Sequence, residues 1–226
     1  MVENVYHMRN LKQNYVGIMN GLGRLAPSVW RSKEQIIDAG FGWKRWFASL
    51  FAIYNTDRMI ALDLPWWNVQ ASREIDRFLA QRPGARVFEY GAGASTVWLA
   101  KRAAAVTSVE HDVSWLDTMA GHTAGFDNIA VLGRSIEKRP SLYVNAIDET
   151  DGLFDLIVID GRQRSECLAR ATSRLGRDGI ILFDDSGRQR YRSGIENSGL
   201  IERRYRGLSY CVPYPDSTSI LRNAVD

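Results

Sequence analysis

The sequence predicts an α/β fold: a mostly parallel sheet of seven strands with helices on both faces and a helical extension at the N-terminus. From residue 86 onward, short apolar runs alternate with helical segments, as in repeated strand–helix units. The run at residues 156–159 is continuously apolar, as a strand buried on both faces should be. A turn containing two glycines directly follows the first run, at residues 91–93.

The predicted strands form a parallel set of five and a C-terminal pair. A helix near residues 189–197 separates the fifth strand from this pair, and Pro213 and Pro215 mark the turn between the last two strands. We expect the final strand to be antiparallel to the others. The seven strands are predicted at residues 86–90, 106–110, 128–132, 155–160, 179–183, 200–206 and 217–222.

The composition is typical of a soluble globular protein, with 226 residues, 45% hydrophobic and 24% charged. We divide the chain into an N-terminal helical extension, residues 1–64, and a main domain, residues 65–226. No apolar run approaches the roughly 20 residues that span a bilayer, and the first residues lack the apolar core of a signal peptide. A cytoplasmic location is therefore expected. Cys167 and Cys211 fit no metal-ligand spacing and are expected to be reduced.

The N-terminal segment differs from the rest in charge and pattern. Residues 1–60 carry eight basic and four acidic residues. An aromatic and apolar stripe in this segment has the spacing of one helix face and needs a partner to pack against. Three partners are possible: the main domain, a second subunit in a homodimer, or a membrane surface. On the main domain, the segment would cover a substrate pocket. Packing on the main domain is favoured because it is the commonest arrangement. The stripe comprises Trp43, Trp46, Phe47, Leu50, Phe51 and Tyr54.

The segment at residues 87–96 carries the strongest functional signal. Its strand ends with the acidic residue Glu89, and Gly91 and Gly93 then allow a sharp turn and a close approach of the backbone to a ligand. Ser95 or Thr96 is expected to cap the following helix, whose N-terminal N–H groups favour polar or anionic ligand atoms. The segment therefore predicts a ligand-binding loop.

Two cofactors use such a loop, nicotinamide dinucleotides and S-adenosylmethionine. Glu110, at the end of the next predicted strand, is placed to accept hydrogen bonds from both hydroxyls of a ribose in either one. A dinucleotide prefers a third glycine, where this chain has Thr96. Glu89 would repel a pyrophosphate but suits the ammonium group of a methionine moiety. The local residues therefore favour S-adenosylmethionine.

These motifs resemble those of class I S-adenosylmethionine-dependent methyltransferases. Residues 89–96 resemble their first motif, residues 109–112 resemble their ribose-binding strand end, and the resemblance covers about residues 65–226. With residues 64–67 and 160–162, the set looks like a group of bacterial methyltransferase-like proteins without an assigned substrate. The resemblance implies a cofactor site formed by Glu89, Gly91, Gly93, Ser95, Thr96, Glu110, His111 and Asp160.

A second cluster of acidic residues is expected at the same edge of the sheet. Asp160 ends the fourth predicted strand, and Asp184 and Asp185 end the fifth. Carboxyl ends of parallel strands meet in one crevice, so these three carboxylates should face the ligand. Carboxylates that lie so close must share a proton, meet basic partners or bind a cation.

Two interpretations of this cluster remain open. Its residue types and strand positions resemble the metal site of catechol-type and macrolide-sugar O-methyltransferases, which implies Mg²⁺ held by Asp160, Asp184 and Asp185. Alternatively, nearby arginines pair with the carboxylates, and Asp160 or Asp185 acts as a general base. In either case, Asp160, Asp185 and Arg162 are the candidate catalytic residues.

The expected function is O-methylation of a small anionic or sugar-containing metabolite. Arginines are frequent in the C-terminal third, yet the net charge is only +3 and no long basic run is present, so a nucleic-acid acceptor is not expected. A nucleic-acid methyltransferase, an NAD-dependent oxidoreductase, an aminopropyl transferase and a non-catalytic domain that binds the cofactor and docks a partner remain as alternatives. The sequence does not name the methyl acceptor.

Overall fold

The computed structural model describes residues 13–23, 36–37, 40–138 and 141–224. Its centre is a seven-stranded sheet in the order β3-β2-β1-β4-β5-β7-β6, in which β7 runs antiparallel to both of its neighbours. The α/β prediction, including the antiparallel final strand, is confirmed. The strands are β1 (Arg86–Tyr90), β2 (Ala105–Glu110), β3 (Ile129–Gly133), β4 (Phe154–Ile159), β5 (Leu175–Phe183), β6 (Ile201–Leu208) and β7 (Pro215–Arg222).

Helices connect the strands and cover both faces of the sheet. Residues 13–23 are helical. From residue 40 onward the α-helices of the described residues are α1 (Trp43–Ser49), α2 (Thr56–Ala61), α3 (Val69–Ala80), α4 (Ala94–Ala100), α5 (Val113–Thr123), α6 (Leu142–Asn145), α7 (Arg164–Ala171) and α8 (Gln189–Glu196). None of the helices in these residues is both long and apolar enough to cross a membrane.

The central strands are buried on both faces, as their apolar sequences require. Because side chains alternate along a strand, Phe88 of β1 packs into the core on one face and Val87 into the core on the other. Ile157 and Leu156 of β4 divide in the same way. This alternation also determines the direction of Glu89, which lies on the face of Val87, beneath α4.

The helix after the glycine loop starts earlier than predicted. It begins at Ala94 with Gly93 as its N-cap residue, so Ser95 and Thr96 lie inside its first turn and do not precede it. Thr96 still contributes to the cap, because its Oγ1 accepts a hydrogen bond of 2.9 Å from the backbone N–H of Gly93.

The aromatic stripe of the N-terminal segment does not form one continuous packed helix face. Helix α1 ends at Ser49 and is followed by a 3₁₀ turn at Leu50–Ala52. Trp43, Phe47 and Tyr54 remain 65%, 46% and 55% exposed. The positions buried beside them include Arg45, Ala48, Ser49 and Ala52.

An ionic cluster explains why a charged side chain of α1 faces inward. Arg45 is 4.0 Å from the carboxylate of Asp63, which also bonds Arg102, two residues beyond the end of α4, at 2.5 Å. The cluster therefore joins the N-terminal segment to the main domain. The domain division at residue 64 and the homodimer contact stay predictions. Cys167 and Cys211 are free thiols, as expected, and burial raises the pKa of both.

The ends of β1 and β4 approach each other unusually closely. Gly91 has φ of +101°, and a Cβ at this position would lie 2.8 Å from the Cα of Gly161. A Cβ on Gly161 would lie 1.9 Å from the hydroxyl oxygen of Tyr143 and 2.9 Å from the carbonyl oxygen of Tyr90. Glycine at both positions is therefore a packing requirement.

Gly161→Ala is expected to lower the free energy of unfolding by about 2 kcal/mol or more, because the added methyl group meets backbone and a buried phenol. Chemical denaturation measures this loss. Gly84→Ala is the matched control, since a Cβ there meets nothing within 4 Å, and it should change stability by less than about 0.5 kcal/mol. Equal stability of the two variants would contradict the close approach.

Candidate functional site

A cavity of about 1080 Å³ lies beyond the carboxyl ends of β1, β2, β4 and β5. This is where ligands bind in open α/β sheets. The residues predicted for the site that line the cavity are Gly91, Gly93, Ser95, Glu110, Asp160, Arg162, Asp184 and Asp185. Glu89, Thr96 and His111 do not line it.

The glycine loop forms one side of the cavity, and backbone hydrogen bonds hold it in place. The N–H of Gly91 donates to the carbonyl of Val109 at 2.9 Å, which fixes the start of the loop against β2. The N–H of Gly93 donates to Thr96, as described above. Trp115 of α5, which also lines the cavity, donates its indole N–H to the carbonyl of Ala92 at 2.7 Å. The loop is therefore tied to its neighbours on three sides.

Glu89 lies beneath this loop. Its carboxyl group is fully buried and accepts hydrogen bonds from the hydroxyls of Ser95 (2.5 Å), Thr96 (2.6 Å) and Ser108 (2.6 Å). Three protein hydroxyls thus enclose the carboxyl group, and the direct contact between Glu89 and a ligand ammonium group stays a prediction. Burial raises the pKa of Glu89 to about 7.

Glu110 faces the cavity from the end of β2. Its Oε1 accepts hydrogen bonds from the backbone N–H groups of His111 (2.7 Å) and Asp112 (3.0 Å), and the His111 Nδ1 atom lies 2.6 Å away. All three contacts involve the same carboxylate oxygen, so the backbone orients the carboxylate and Oε2 takes part in none of them. The ring of His111 packs edge-on against Tyr143. His111 thus supports Glu110 from outside the cavity.

At the ends of β4 and β5, one arginine binds the three predicted carboxylates. The guanidinium of Arg164, only 9% exposed, bonds Asp160 at 2.9 Å and Asp185 at 3.1 Å and lies 3.8 Å from Asp184. It also donates to the backbone carbonyls of Gly161, Asp160 and Asp184. Although burial opposes the charge, the carboxylates raise the pKa of Arg164, so it remains a cation.

The predicted Mg²⁺ site does not fit this arrangement. The guanidinium of Arg164 lies between Asp160, Asp184 and Asp185, and Arg188 also pairs with Asp185, so arginine side chains occupy the positions beside these carboxylates that a metal ion would need. Across the described ranges, no group of three acidic, histidine or cysteine residues has a geometry that could hold a metal ion. The arginine-paired alternative is the one that the structure contains.

The carboxyl groups of Asp160 and Asp184 lie close enough to influence each other's charge. Burial raises the pKa of Asp160, against the opposing effects of Arg164 and of the Trp67 indole N–H at 3.1 Å. Burial and the charge of Asp160 raise the pKa of Asp184 well above its usual range. Asp184 also accepts a hydrogen bond of 2.6 Å from Thr218. The pair can therefore hold a proton beside the cavity, and Asp160, with 24% of its side chain exposed against 15% for Asp184, is its more accessible member.

The other arginines of the site differ in their partners. Arg188 pairs with Asp185 at 2.8 Å and is half-exposed. Arg162 lines the cavity, is exposed, and has no ion pair with a residue in the described part of the chain. Burial raises the pKa of Asp216, which also lines the cavity, and the charge of Asp185 adds to this effect.

Sequence reasoning missed several residues of the site. Trp67 and Thr218 reach the acidic pair from 93 and 34 positions away in the chain, so no local motif marks them. Arg164, in contrast, is one of the nearby arginines expected to pair with the carboxylates, and the position of α7 selects it from that group. The N-terminal segment contributes a wall of the cavity, formed by Tyr15, Ile53, Tyr54, Thr56 and Met59.

Comparison with solved structures identifies the fold. The O-methyltransferase TomG from Streptomyces achromogenes aligns with 78% of this chain and 90% of its own, with a TM-score of 0.58 and 14% identity. Precorrin-6y C5,15-methyltransferase from Geobacter metallireducens aligns with 69% and 89%, with a TM-score of 0.54 and 14% identity. An rRNA methylase from Streptococcus thermophilus aligns with 67% and 95%, with a TM-score of 0.52 and 14% identity.

No family model matches this sequence, and none of the curated proteins is similar enough to count as a match. The fold is that of class I S-adenosylmethionine-dependent methyltransferases. The similar structures act on oxygen in one case and on ribosomal RNA in another, so the fold alone does not select an acceptor.

Glu89→Gln is expected to remove a pH dependence of stability. Between the ordinary pKa of 4.5 and the folded value of about 7, the unfolded chain ionises this group while the folded chain keeps its proton. The free energy of unfolding of the wild type therefore falls with rising pH across that window, by about 3 kcal/mol, and changes no further above it. Glutamine cannot ionise, so the variant should lack this fall.

Urea denaturation of both proteins between pH 5 and 8 measures the difference. Glu149→Gln is the control. A hydrogen bond from Arg134 lowers the pKa of Glu149, so the stabilising effect of this carboxylate is lost only as pH falls below 4.5. The difference in stability between wild type and this variant should therefore stay constant from pH 5 to 8. A constant difference between wild type and Glu89→Gln from pH 5 to 8 would contradict the buried, protonated carboxyl group.

Proposed function

We propose that this protein is an S-adenosylmethionine-dependent methyltransferase that methylates an oxygen of a small anionic or sugar-containing metabolite. The proposal rests on one observation: a set of residues suited to a cofactor and a set suited to proton transfer line the same cavity. The glycine loop and Glu110 form one end, and the Asp160, Asp184 and Arg164 cluster forms the other. The first end suits a cofactor, and the second suits proton transfer.

The residues at the first end fit S-adenosylmethionine. Glu110 presents an oriented carboxylate for the ribose hydroxyls, and the loop from Gly91 to Gly93 leaves room for the methionine moiety. A Cβ on Gly93 would meet only the Ser95 hydroxyl, at 3.8 Å, so the loop borders open space there. The indole of Trp115 and the carboxylate of Asp112 lie on the same wall and would contact the adenosine.

The size of the cavity supports two ligands. Sites for one small molecule usually measure about 300–1,000 Å³, and this cavity, at about 1080 Å³, also has room for an acceptor. Residues of the N-terminal segment line the cavity together with residues at the strand ends, so the acceptor must fit among both. This favours a small molecule over a polynucleotide.

The protein residues would orient the acceptor and receive its proton. When bound, S-adenosylmethionine would supply a methyl group attached to a positively charged sulfur. The acceptor oxygen would attack the methyl carbon in line with the carbon–sulfur bond, and the sulfur would leave as a neutral thioether. Asp160, whose pKa is raised by burial, is a stronger base than an exposed carboxylate and can take the hydroxyl proton. Arg164 and Trp67 hold Asp160 in position. Arg162 supplies a positive charge for an anionic acceptor.

Glu110→Ala should weaken binding of S-adenosylhomocysteine by roughly 1.5–3 kcal/mol, because charge-assisted hydrogen bonds to the ribose are lost. Isothermal titration calorimetry measures the change. Glu74→Ala is the matched control, since Glu74 pairs with Arg77 on α3, outside the cavity. Equal affinities of the two variants would remove Glu110 from the cofactor site.

Methyl transfer is tested with radiolabelled S-adenosylmethionine and cell extracts separated into metabolite, RNA and protein fractions. Label is expected in the metabolite fraction, and a chelator should leave the rate unchanged because Arg164 replaces a metal. Asp160→Asn should lower the rate by about 10²-fold or more, since asparagine cannot take the proton. Label confined to RNA would contradict the proposed acceptor, and loss of activity with chelator would contradict the proposed base.

A further inference from the structure

Several aromatic side chains line the same cavity as the acidic cluster. Tyr15, Tyr54, Trp66 and Tyr214 all line it. Tyr54 and Trp66 contact each other edge to face, with ring centroids 5.0 Å apart and planes at 72°. Tyr54 and Tyr214 are 55% and 58% exposed although they border the cavity, so much of their ring surface is open to a ligand.

Two of these aromatic residues have a backbone conformation that side chains disfavour. Tyr54 has φ of +54° and Trp66 has φ of +57°, both in the left-handed region. Residues with bulky side chains are rarely found there, because the conformation costs free energy that glycine would avoid. Strained residues of this kind concentrate at functional sites. Tyr54 and Trp66 therefore gain a position at the cavity at the expense of stability.

Most of the cavity-lining residues that lie close to these aromatic residues in the chain are apolar. They are Ile53, Met59, Pro65, Val212 and Pro213, and the polar ones are Thr56, Ser209 and Asp216. A sugar would lose hydrogen bonds to water against such a surface, whereas a flat aromatic ring would gain contact area and ring stacking. The shape and polarity of the wall thus favour an aromatic ligand.

The arginines that line the cavity indicate what the ring carries. Arg164 and Arg188 are paired with carboxylates, whereas Arg162 has no ion pair in the described ranges. An exposed guanidinium that lines a cavity is suited to a carboxylate or a phosphate on the ligand.

We propose that the methyl acceptor is a flat hydroxylated aromatic compound with an anionic substituent. Its ring lies against Tyr54, Trp66 and Tyr214, and its anionic group pairs with Arg162. The inference rests on the proposed function, because it names the acceptor class of the same site.

The test titrates 4-hydroxybenzoate into the full chain, with and without saturating S-adenosylhomocysteine, and follows binding by calorimetry. Two analogues isolate the ring and the charge: 4-hydroxycyclohexanecarboxylate lacks the aromatic ring, and 4-hydroxybenzyl alcohol lacks the charge. Glucose 6-phosphate represents a sugar acceptor. We expect 4-hydroxybenzoate to bind at least tenfold more tightly than each of the other three compounds.

Equal or tighter binding of the cyclohexane acid or of glucose 6-phosphate would overturn the inference, and so would no binding of 4-hydroxybenzoate. These outcomes leave the proposed function intact if S-adenosylhomocysteine itself binds. Failure of S-adenosylhomocysteine to bind would instead remove the proposed function. The two claims therefore fail through different titrations.

Tyr54→Gly separates a binding role from a structural one. The change relieves the positive φ but removes the ring contact with Trp66, so the melting temperature should change little while affinity for 4-hydroxybenzoate falls at least tenfold. Tyr54→Phe should retain the affinity. Trp43→Ala is the control, because Trp43 is exposed outside the cavity and should affect neither measurement. A lowered melting temperature with unchanged affinity would make Tyr54 a structural residue.

Arg162→Gln tests the charge. The variant should lose at least tenfold in affinity for 4-hydroxybenzoate and little for 4-hydroxybenzyl alcohol. Arg177→Gln is the control, since Arg177 is exposed near the opposite end of β5 and does not line the cavity. An equal loss for both ligands would overturn the assignment of Arg162 to the anionic group.

Discussion

The hydrogen bonds around the carboxyl group of Glu89 join the elements that form the glycine loop. The carboxyl group of Glu89, which belongs to β1, accepts hydrogen bonds from the hydroxyls of Ser95 and Thr96 in α4 and of Ser108 in β2. Thr96 in turn accepts the N–H of Gly93. Because a buried polar group without partners is costly, these residues have little freedom to move apart. The loop is therefore fixed from beneath, and Glu110 lies in a set position beside it.

Arg164 has the same role at the other end of the cavity. A buried guanidinium is stable only where carboxylates and carbonyls satisfy it, and here three carboxyl groups and three backbone carbonyls surround it. The arrangement brings the ends of β4 and β5 together without a metal. It also leaves Asp160 partly accessible, so one member of a buried acidic cluster can exchange a proton with a ligand.

The strand pattern could be predicted from the sequence, because apolar runs and their spacing are local properties. The bounds of β1 agree with the prediction, and the antiparallel final strand was also expected. The direction of Glu89 was available in principle, since alternation along β1 places it with Val87 and away from Phe88. Its partners Ser95 and Thr96 were recognised only as helix caps. Ser95 and Thr96 can bond Glu89 because α4 begins at Ala94 and places both in its first turn, and the sequence does not mark that starting residue.

Other features depend on contacts that no local pattern records. Trp67 and Thr218 meet the acidic pair only when the sheet is assembled. The N-terminal stripe has helical spacing, yet the attraction between Arg45 and Asp63 helps to turn a different face inward. The left-handed conformations of Tyr54 and Trp66 carry no glycine signal, because these positions retain aromatic side chains despite the strain.

The central claim is that the cavity takes S-adenosylmethionine and not a nicotinamide dinucleotide. Parallel calorimetric titrations of the wild-type chain with S-adenosylhomocysteine and with NADH test it most directly. The account predicts saturable binding of S-adenosylhomocysteine with a stoichiometry near one per chain and no measurable binding of NADH. Binding of NADH, or no binding of S-adenosylhomocysteine, would contradict it.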